Sequence, residues 1–385
     1  MQRIVLAALA LILAPLVSAQ APVKIGVVAP FSGPQGDYGK QIEAGMRTFL
    51  KLNGDTFAGR KIEILTRDTG GPNGDVAKRL SQELVTRDNV DFLAGYGFTP
   101  EAMASAPVAT EAKKPMVVMN AASSAVTTRS PYIVRFSMTL PQVSAPMATW
   151  AVMNDIKRVY TIVSDFAPGI DSETAFKKEF EAKGGVVVDS VRTPLRNPDF
   201  SPYIQRIKDS KPQAVFVFVP AGEQSIAFMK AFDERGLAKE GIRVIGPGDI
   251  TDDDVLNAIG DPVLGVITSH HYSADHDSRE NKAFVKAFGE VQTELKRPNF
   301  MAVGGYDGMA AIAEVVKKLG NKIDGDAAME IFKNMKLTSP RGPIAIDPAT
   351  RDIVQTVYIR KVEKRGKEYW NVEFDKLPNV KDPGK

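Results

Sequence analysis

The sequence has 385 residues, enough for two domains of ordinary size, and its 44% hydrophobic and 25% charged residues exclude disordered, collagen-like and coiled-coil proteins. Its 49 basic and 46 acidic residues are spread along the chain, so the net charge of +3 forms no patch for a polynucleotide, and we expect no nucleic-acid partner. The absence of cysteine excludes thiol catalysis, disulfides and cysteine-containing zinc sites, and three histidines leave little for a histidine metal centre.

Residues 1–19 have the pattern of a secretory signal peptide. Arg3 supplies a positive charge, the residues from 4 to 17 are nearly all apolar, and Val17-Ser18-Ala19 offers small residues before Gln20. The apolar stretch has 14 residues, fewer than the roughly 20 that a membrane-spanning helix needs. Since no cysteine stands at the cleavage point, we expect an exported protein that has no lipid anchor.

Short runs of β-branched residues alternate with longer amphipathic segments along the rest of the chain. The runs are apolar nearly throughout, as in strands that a parallel sheet buries on both faces. They lie at 23–29, 61–67, 91–94, 116–119, 132–136, 158–163, 186–192, 214–219, 242–245 and 263–268. The predicted helices lie at 38–53, 75–87, 100–112, 140–154, 170–183, 200–208, 223–234, 279–295 and 301–319. This alternation predicts a doubly wound α/β architecture.

Two departures from the alternation indicate how the molecule is organised. After the strand at 132–136, Pro141 precedes a second βαβ series, which predicts that the chain crosses there from one lobe to another. The tail from 341 to 374 reads instead as antiparallel strands, at 342–346, 353–361 and 368–374. Two similar lobes with short connections predict a cleft between them, where a small ligand usually binds.

Three turns that follow first-lobe strands have backbone or hydroxyl groups suited to an anion. Gly33–Gly39 precedes a helix but lacks the spacing of a nucleotide-binding loop, so a plain tight turn is the alternative. After the strand at 91–94, Thr99 fits a helix N-cap and Pro100 the first helical position, where the helix dipole favours a carboxylate. Asn120–Ser124 repeats the arrangement with small residues and serines. These turns either hold a ligand carboxylate or serve only as caps.

The second lobe has strand-to-helix turns at Ser164–Asp171, Pro220–Glu223 and Gly246–Asp249, which face the same cleft. The acid-rich segment Asp249–Asp254 favours a capped helix start over a cation site. His270 and His271 would point to opposite faces of a strand, which does not suit a metal, although one of them could bond an acidic ligand in the cleft. No nucleophile–base set or cofactor loop is readable, so we expect neither an enzyme nor a metal or cofactor.

An ordered set of short motifs runs through the first lobe. It comprises Val23–Pro34, Gly39, Gly45, Asn53, Gly59–Glu63, Arg67-Asp68 and Ala94-Gly95. Together with the signal peptide, this set resembles the leucine/isoleucine/valine-binding type of periplasmic solute receptor for ABC importers. The resemblance covers the chain from about Val23 to Phe374.

This resemblance implies a type I periplasmic-binding fold, with two doubly wound lobes joined by three hinge segments near 136–139, 268–271 and 342–346. The first lobe would comprise 20–137 and 272–341, and the second 138–271 and 342–385. The implied protein is a periplasmic monomer that closes on a small molecule and docks on the permease subunits of an inner-membrane ABC transporter. A sensor that reports to a membrane kinase remains open, because the same fold serves both roles.

The family's motifs match the first-lobe positions Gly97, Phe98, Thr99, Ala121, Ala122 and Ser123, with Tyr38 as a further cleft position. The second-lobe candidates for ligand binding are Phe166, Ala221 and Asp249. The second lobe departs from the amino-acid receptors of the family. Those receptors carry a glutamate after a Gly-Pro pair to hold the ligand ammonium, whereas here Gly246-Pro247 is followed by Gly248 and then Asp249. In addition, Pro168 replaces the usual aromatic residue of the preceding turn.

These departures favour a hydrophobic or aromatic carboxylate as the ligand, because an ammonium without a buried carboxylate partner would be poorly compensated. Rings such as Tyr38, Phe98 and Phe166 could face an aromatic ligand. Two alternatives remain open: a branched-chain or other amino acid whose ammonium Asp249 holds, and an amide or urea-type solute.

Overall fold

The computed structural model describes residues 20–384 of this protein. The predicted signal peptide, residues 1–19, lies outside the described residues. Strands and helices alternate over most of the described chain and build two sheets, which confirms the predicted α/β architecture. Among residues 20–384, no helix has both the length and the apolar character needed to cross a membrane.

The first sheet forms from the N-terminal part of the chain. Its elements are β1 (Val23–Ala29), α1 (Gly36–Asn53), β2 (Thr56–Phe57), β3 (Arg60–Asp68), α2 (Gly74–Thr86), β4 (Phe92–Gly95), α3 (Thr99–Ala112), β5 (Met116–Val118) and β6 (Ile133–Arg135). The strand order is β2-β3-β1-β4-β5-β6, and all pairs except β2–β3 are parallel. β1 is almost completely buried, as its continuous apolar sequence predicts.

The second sheet begins after the chain leaves β6. Its elements up to the first return are α4 (Leu140–Met153), β7 (Arg158–Ser164), α5 (Ala167–Ala182), β8 (Val186–Thr193), α6 (Ser201–Ser210), β9 (Ala214–Phe218), α7 (Glu223–Glu234), β10 (Arg243–Pro247), α8 (Leu256–Ile259) and β11 (Ile267–His270). β8, β7, β9, β10 and β11 pair in this order and in parallel. The predicted strand at 263–268 begins only at Ile267, because 261–263 forms a 3-10 turn after Gly260.

The chain then returns to the first lobe as α9 (Arg279–Val291), α10 (Phe300–Leu319) and α11 (Gly325–Lys333). α10 packs closely on α1, because a Cβ at Gly45 would lie 1.9 Å from the carbonyl oxygen of Ala302. A Cβ at Gly305 of α10 would likewise lie 2.2 Å from the carbonyl oxygen of Ile42 in α1. Only glycine allows the two backbones to approach so closely. The segment from 20 to 135 and the segment from 279 to 333 therefore form one packed unit.

The tail forms β12 (Lys336–Ser339), β13 (Gly342–Ile346), β14 (Ile353–Arg365) and β15 (Glu368–Val380). All of these strands pair antiparallel, and β14 joins them to β11, which confirms the predicted antiparallel tail. β12 and α11 were not expected from the sequence. The predicted helix at 279–295 ends at Val291, because the Gln292 side chain bonds the backbone of Leu295 and closes a turn.

Three connections join the two sheets. The chain passes from β6 to α4, from β11 to α9, and from α11 into the β12–β13 hairpin. The segment from 341 to 352 is fixed to the first lobe by two buried ion pairs, Arg341 with Asp307 at 2.7 Å and Arg135 with Asp352 at 2.7 Å. The third expected hinge, 342–346, is thus a strand held between the lobes. The exact lobe boundaries stay a prediction.

Candidate ligand-binding site

A cavity lies between the two sheets, where the carboxyl ends of their parallel strands meet. The interior space that it holds is narrow, about 30 Å³. A cleft between two such lobes is a usual position for a small ligand. The cavity is lined by Tyr38, Gly97, Phe98, Thr99, Asn120 and Ala122 from the first lobe, by Met138 and Leu140 from the connection, and by Phe166, Pro168, Phe218, Pro220 and Asp249 from the second.

Two stacked pairs of aromatic rings form part of the cavity wall. Tyr38 stacks on Phe98 with ring centroids 4.8 Å apart and planes within 9°. Phe166 stacks on Phe218 with centroids 6.0 Å apart and an angle of 18°. The first pair belongs to the first lobe and the second pair to the second lobe. Both lobes therefore offer ring surface, against which a flat apolar ligand packs well.

The first-lobe side of the cavity can hold an anion at the N-terminus of α3. The Thr99 hydroxyl accepts a hydrogen bond from the Ser123 N–H at 3.2 Å, which leaves its own proton free to be donated. Among the described residues, the backbone N–H groups of Thr99 and Ala122 donate to no other group. Two donors at the N-terminus of α3 and a third in the turn after β5 form a suitable site for a carboxylate.

Thr99 was expected to cap α3, but the structure corrects this assignment. Phe98 has extended backbone and is the N-cap residue, and Thr99 is the first residue of the helix. The Glu101 carboxylate takes the capping role, because it accepts from the Phe98 N–H at 2.9 Å and from the Thr69 hydroxyl at 2.6 Å. Burial raises the pKa of Glu101 to about 8. The Thr99 hydroxyl is therefore not needed for the cap and remains available to a ligand.

On the second-lobe side, Asp249 follows β10 in a 3-10 turn. Its side chain is 6% exposed, and its Oδ2 atom has no hydrogen-bond partner among the described residues. Burial, reinforced by the neighbouring Asp252 carboxylate, raises the pKa of Asp249 to about 7. The nearby Tyr38 hydroxyl donates to the carbonyl oxygen of Ala221 at 3.3 Å and not to the Asp249 carboxyl group.

Gly248 precedes Asp249 at the position where the resembled amino-acid receptors have glutamate. A Cβ here would lie 2.1 Å from Nη2 of Arg360 and 2.2 Å from Cδ2 of His270. The Arg360 guanidinium is buried and donates to the Thr268 hydroxyl at 3.1 Å and to the carbonyl oxygen of Tyr272. The space that an acidic side chain would need at this position is thus occupied by the guanidinium and the imidazole ring.

The structure brings together seven of the ten residues expected in the site. These seven are Tyr38, Gly97, Phe98, Thr99, Ala122, Phe166 and Asp249. Three others lie beside the cavity without lining it. Ala121 bonds Tyr96 and Arg135 through its backbone, Ala221 accepts from Tyr38, and the Ser123 hydroxyl donates to the Asp171 carboxylate at 2.7 Å.

Six further lining residues were not chosen from the sequence: Asn120, Met138, Leu140, Pro168, Phe218 and Pro220. Phe218 was read as part of a buried strand, and only its position at the strand's end exposes its ring to the cavity. Met138 and Leu140 lie in the connection between lobes, whose course depends on both sheets. A signal existed for Asn120, Pro168 and Pro220, since each belongs to a turn that was expected to face the cleft.

Polar contacts join the lobes on either side of the cavity. The Asp171 carboxylate also accepts from the Ser124 N–H at 3.1 Å. Elsewhere the Gln41 amide donates to Asp254 at 2.9 Å, and the Asn299 amide donates to Asp252 at 3.2 Å. Burial raises the pKa of Asp252 to about 7 and also raises that of Asp254. The lobes are therefore in direct contact around the cavity.

The two adjacent histidines do not belong to the site. His270 and His271 are completely buried and lie outside the cavity lining, so the expectation that one of them lines the cleft is wrong. Burial, together with the neighbouring arginines, holds the pKa of both well below the usual value, which keeps them neutral. Among residues 20–384, no three His, Asp or Glu side chains are grouped as ligands for a metal ion.

Comparison with known proteins extends these observations. The sequence model of a family described as periplasmic binding protein matches residues 22–367. A Leu/Ile/Val-binding protein homologue from Brucella melitensis is 42% identical over the whole chain and 99% of its own length.

Solved structures are similar as well. The solute-binding protein of an ABC transporter from Rhodopseudomonas palustris BisB5, in complex with 3,4-dihydroxybenzoic acid, is 53% identical with a TM-score of 0.91. The alignment covers 94% of this chain and 99% of that protein. Another solute-binding protein from R. palustris, in complex with 4-hydroxybenzoate, is 42% identical with a TM-score of 0.92 and the same coverage.

Proposed function

The chain belongs to the periplasmic binding protein family, and we propose that it is the receptor through which an ABC importer captures a hydrophobic or aromatic carboxylate. The observation that carries this proposal is the composition of the cavity. Donors for a carboxylate lie on the first lobe, at Thr99 and Ala122, and stacked rings lie on both lobes. Two relatives at 53% and 42% identity were solved with benzoate-type acids, which supports the same ligand class here.

The surroundings of Gly248 disfavour an α-amino acid. An amino-acid ligand presents an ammonium beside its carboxylate, and a buried ammonium needs a paired anion. The Arg360 guanidinium fills the space beside Gly248, so a glutamate that could pair with the ammonium has no room at this position. The specific observation in favour of an amino acid is the buried Asp249 carboxylate, which could pair with an ammonium. Leucine is therefore included in the test below as the competing ligand.

We assign the transport cycle to the two lobes. The ligand enters between separated lobes, and the contacts around the cavity, such as Asp171 with Ser123, form when the lobes close over it. A ligand shifts the equilibrium between separated and closed lobes only to the extent that it binds the closed arrangement more tightly than the open one. The closed monomer then docks on membrane permease subunits in the periplasm. The lobes comprise 20–137 with 272–341 and 138–271 with 342–385, and the receptor performs no catalytic turnover.

The test is isothermal titration of the exported chain, residues 20–385, with benzoate, 4-hydroxybenzoate and leucine. We expect micromolar or tighter binding of at least one aromatic acid, which corresponds to about −8 kcal/mol, and no heat with leucine. Thr99→Val should weaken acid binding by about 1–3 kcal/mol, because it removes a buried donor. Thr86→Val, at an exposed position of α2, is the matched control and should leave affinity unchanged. Binding of leucine in place of the aromatic acids would contradict the proposal.

A further inference from the structure

Two buried acceptors that line the cavity have no hydrogen-bond partner among the described residues: Oδ2 of Asp249 and Oδ1 of Asn120. Buried polar atoms in native proteins are almost always bonded, and leaving one unsatisfied is costly. The Asp249 carboxyl is 94% removed from solvent, since its exposed fraction is 6%. An acceptor of this kind, on the wall of a ligand cavity, points to a donor that the ligand brings.

Three donors of the protein near Asp249 bond other groups, and the His270 ring beside Gly248 bonds none. The Tyr38 hydroxyl donates to Ala221, and the Arg360 guanidinium donates to Thr268 and Tyr272. The Ser225 hydroxyl donates to the backbone oxygen of Asp249 at 3.1 Å and not to its carboxyl group. The neighbouring Asp252 carboxyl group does not bond it either, because its own Oδ2 atom has no partner among the described residues. The Oδ2 atom of Asp249 therefore keeps an acceptor position for a ligand donor.

The position of Asp249 fixes which part of the ligand it meets. The carboxylate donors Thr99 and Ala122 lie on the first lobe, whereas Asp249 lies on the second. A benzoate whose carboxylate is held by the first lobe directs the far side of its ring toward the second lobe. A hydroxyl at that side supplies a donor without bringing a charge into the buried site, whereas an ammonium brings one that must be desolvated.

We infer that Asp249 is a specificity residue that accepts a hydrogen bond from a ring hydroxyl of the ligand, so that the receptor prefers 3- or 4-hydroxylated benzoates to benzoate itself. This inference rests on the proposed function. Benzoate would seal the cavity while leaving the Asp249 carboxylate without a donor. A phenolic hydroxyl supplies the missing hydrogen bond to the free Oδ2 atom of Asp249. Asn120 lies on the first-lobe side of the cavity, away from the ring hydroxyl that meets Asp249.

The experiment is a matrix of dissociation constants. Wild-type protein, Asp249→Ala, Asp249→Asn, Asn120→Ala and Thr99→Val are titrated with benzoate, the three monohydroxybenzoates and 4-methoxybenzoate. For the wild type we expect the 3- or 4-hydroxy acid to bind about 10- to 100-fold more tightly than benzoate. The 2-hydroxy acid should show no such gain, because its hydroxyl lies beside the carboxylate. The methoxy acid should show none either, because it adds volume without a donor.

Asp249→Ala should reduce the preference for the hydroxylated acid to within about threefold of benzoate. Asp249→Asn, which keeps the shape and a neutral acceptor, should leave an intermediate preference, and thermal unfolding of both variants checks their folding. Thr99→Val should weaken all acids by a similar factor and preserve the ratio. A ratio that survives Asp249→Ala, disappears with Asn120→Ala, or is matched by 4-methoxybenzoate overturns the inference while the proposed function stands. Failure of every aromatic acid to bind the wild type instead refutes the proposed function.

Discussion

Gly248 shows how one residue without a side chain can decide what a cavity accepts. The guanidinium of Arg360 and the ring of His270 occupy the volume that any larger residue at this position would need. Both groups are buried, and the guanidinium is bonded to Thr268, so neither moves without losing contacts. The sequence shows that this position lacks the glutamate of the resembled amino-acid receptors. The structure adds that the Arg360 guanidinium occupies the space that the glutamate side chain would need.

Gly248→Ala should destabilise the protein by about 1–3 kcal/mol, the usual cost of forcing extra volume into a packed interior. Chemical denaturation measures the change. Gly289→Ala is the matched control, because Gly289 lies in α9 with no atom within 4 Å of its would-be Cβ. Alanine there should stabilise the helix by about 0.5–1 kcal/mol. Equal effects of the two substitutions would show that the site beside Gly248 is not tightly packed.

At the scale of elements, α5 and the turn after β5 form the contact that closes one side of the cavity. The turn was expected to hold a ligand carboxylate through its serines. Instead the protein's own carboxylate, Asp171 on α5, accepts from the Ser123 hydroxyl and the Ser124 N–H. The same donors therefore link the lobes. The adjacent Thr99 and Ala122 groups keep free donors that face the cavity.

Asp171→Ala should weaken ligand binding about three- to tenfold without changing any residue that lines the cavity, because it removes hydrogen bonds that exist only when the lobes touch. Titration calorimetry measures the loss, and stopped-flow kinetics should assign it to faster ligand release. Asp165→Ala is the control, since this exposed carboxylate lies in the same region and its side chain bonds no other described residue. An unchanged affinity in Asp171→Ala would show that this contact does not support closure.

Elements with a strong local pattern were predictable, and those held by pairing were not. β1 and α7 have the predicted bounds, because a continuous apolar run and an amphipathic period determine them. α11 had a readable signal in Asp324, whose side chain caps it by accepting from the Ala327 N–H. β12, by contrast, is mostly exposed and forms only because β13 lies beside it. The residues that line the cavity likewise divide into those that a local pattern predicts and those that only long-range pairing brings there.

Within the site, the residues of the βα turns could be predicted because their positions follow from strand ends. The partners of those residues could not. Nothing near Ser123 in the sequence indicates that its hydroxyl bonds a residue 48 positions later. Likewise, Arg360 and Gly248 come together only because β14 inserts beside β11. Long-range pairing of this kind depends on the complete fold.

At the scale of the whole molecule, buried acids make stability depend on pH. Burial raises the pKa of Asp249 and Asp252 to about 7 and that of Glu101 to about 8. The folded protein thus retains protons that the unfolded chain has released, and the stability present at low pH is lost as the pH rises through these values. His270 and His271 act in the opposite sense, but only below their unfolded value of 6.5.

Between pH 6.5 and 8.5 the carboxyl groups therefore decide the trend, and the free energy of unfolding should fall by at least about 1 kcal/mol. Urea denaturation at several pH values measures it. Asp249→Asn should reduce the slope, because asparagine does not titrate. A free energy of unfolding that stays constant or rises across this interval would contradict the assignment of these groups as buried, protonated acids.

A crystal structure of the protein with 4-hydroxybenzoate would show whether an aromatic carboxylate binds between the two lobes. We expect the carboxylate within hydrogen-bond distance of Thr99 and Ala122, the ring between the Tyr38–Phe98 and Phe166–Phe218 pairs, and the hydroxyl against Asp249. A ligand bound elsewhere, or a carboxylate turned toward the second lobe, would contradict this expectation.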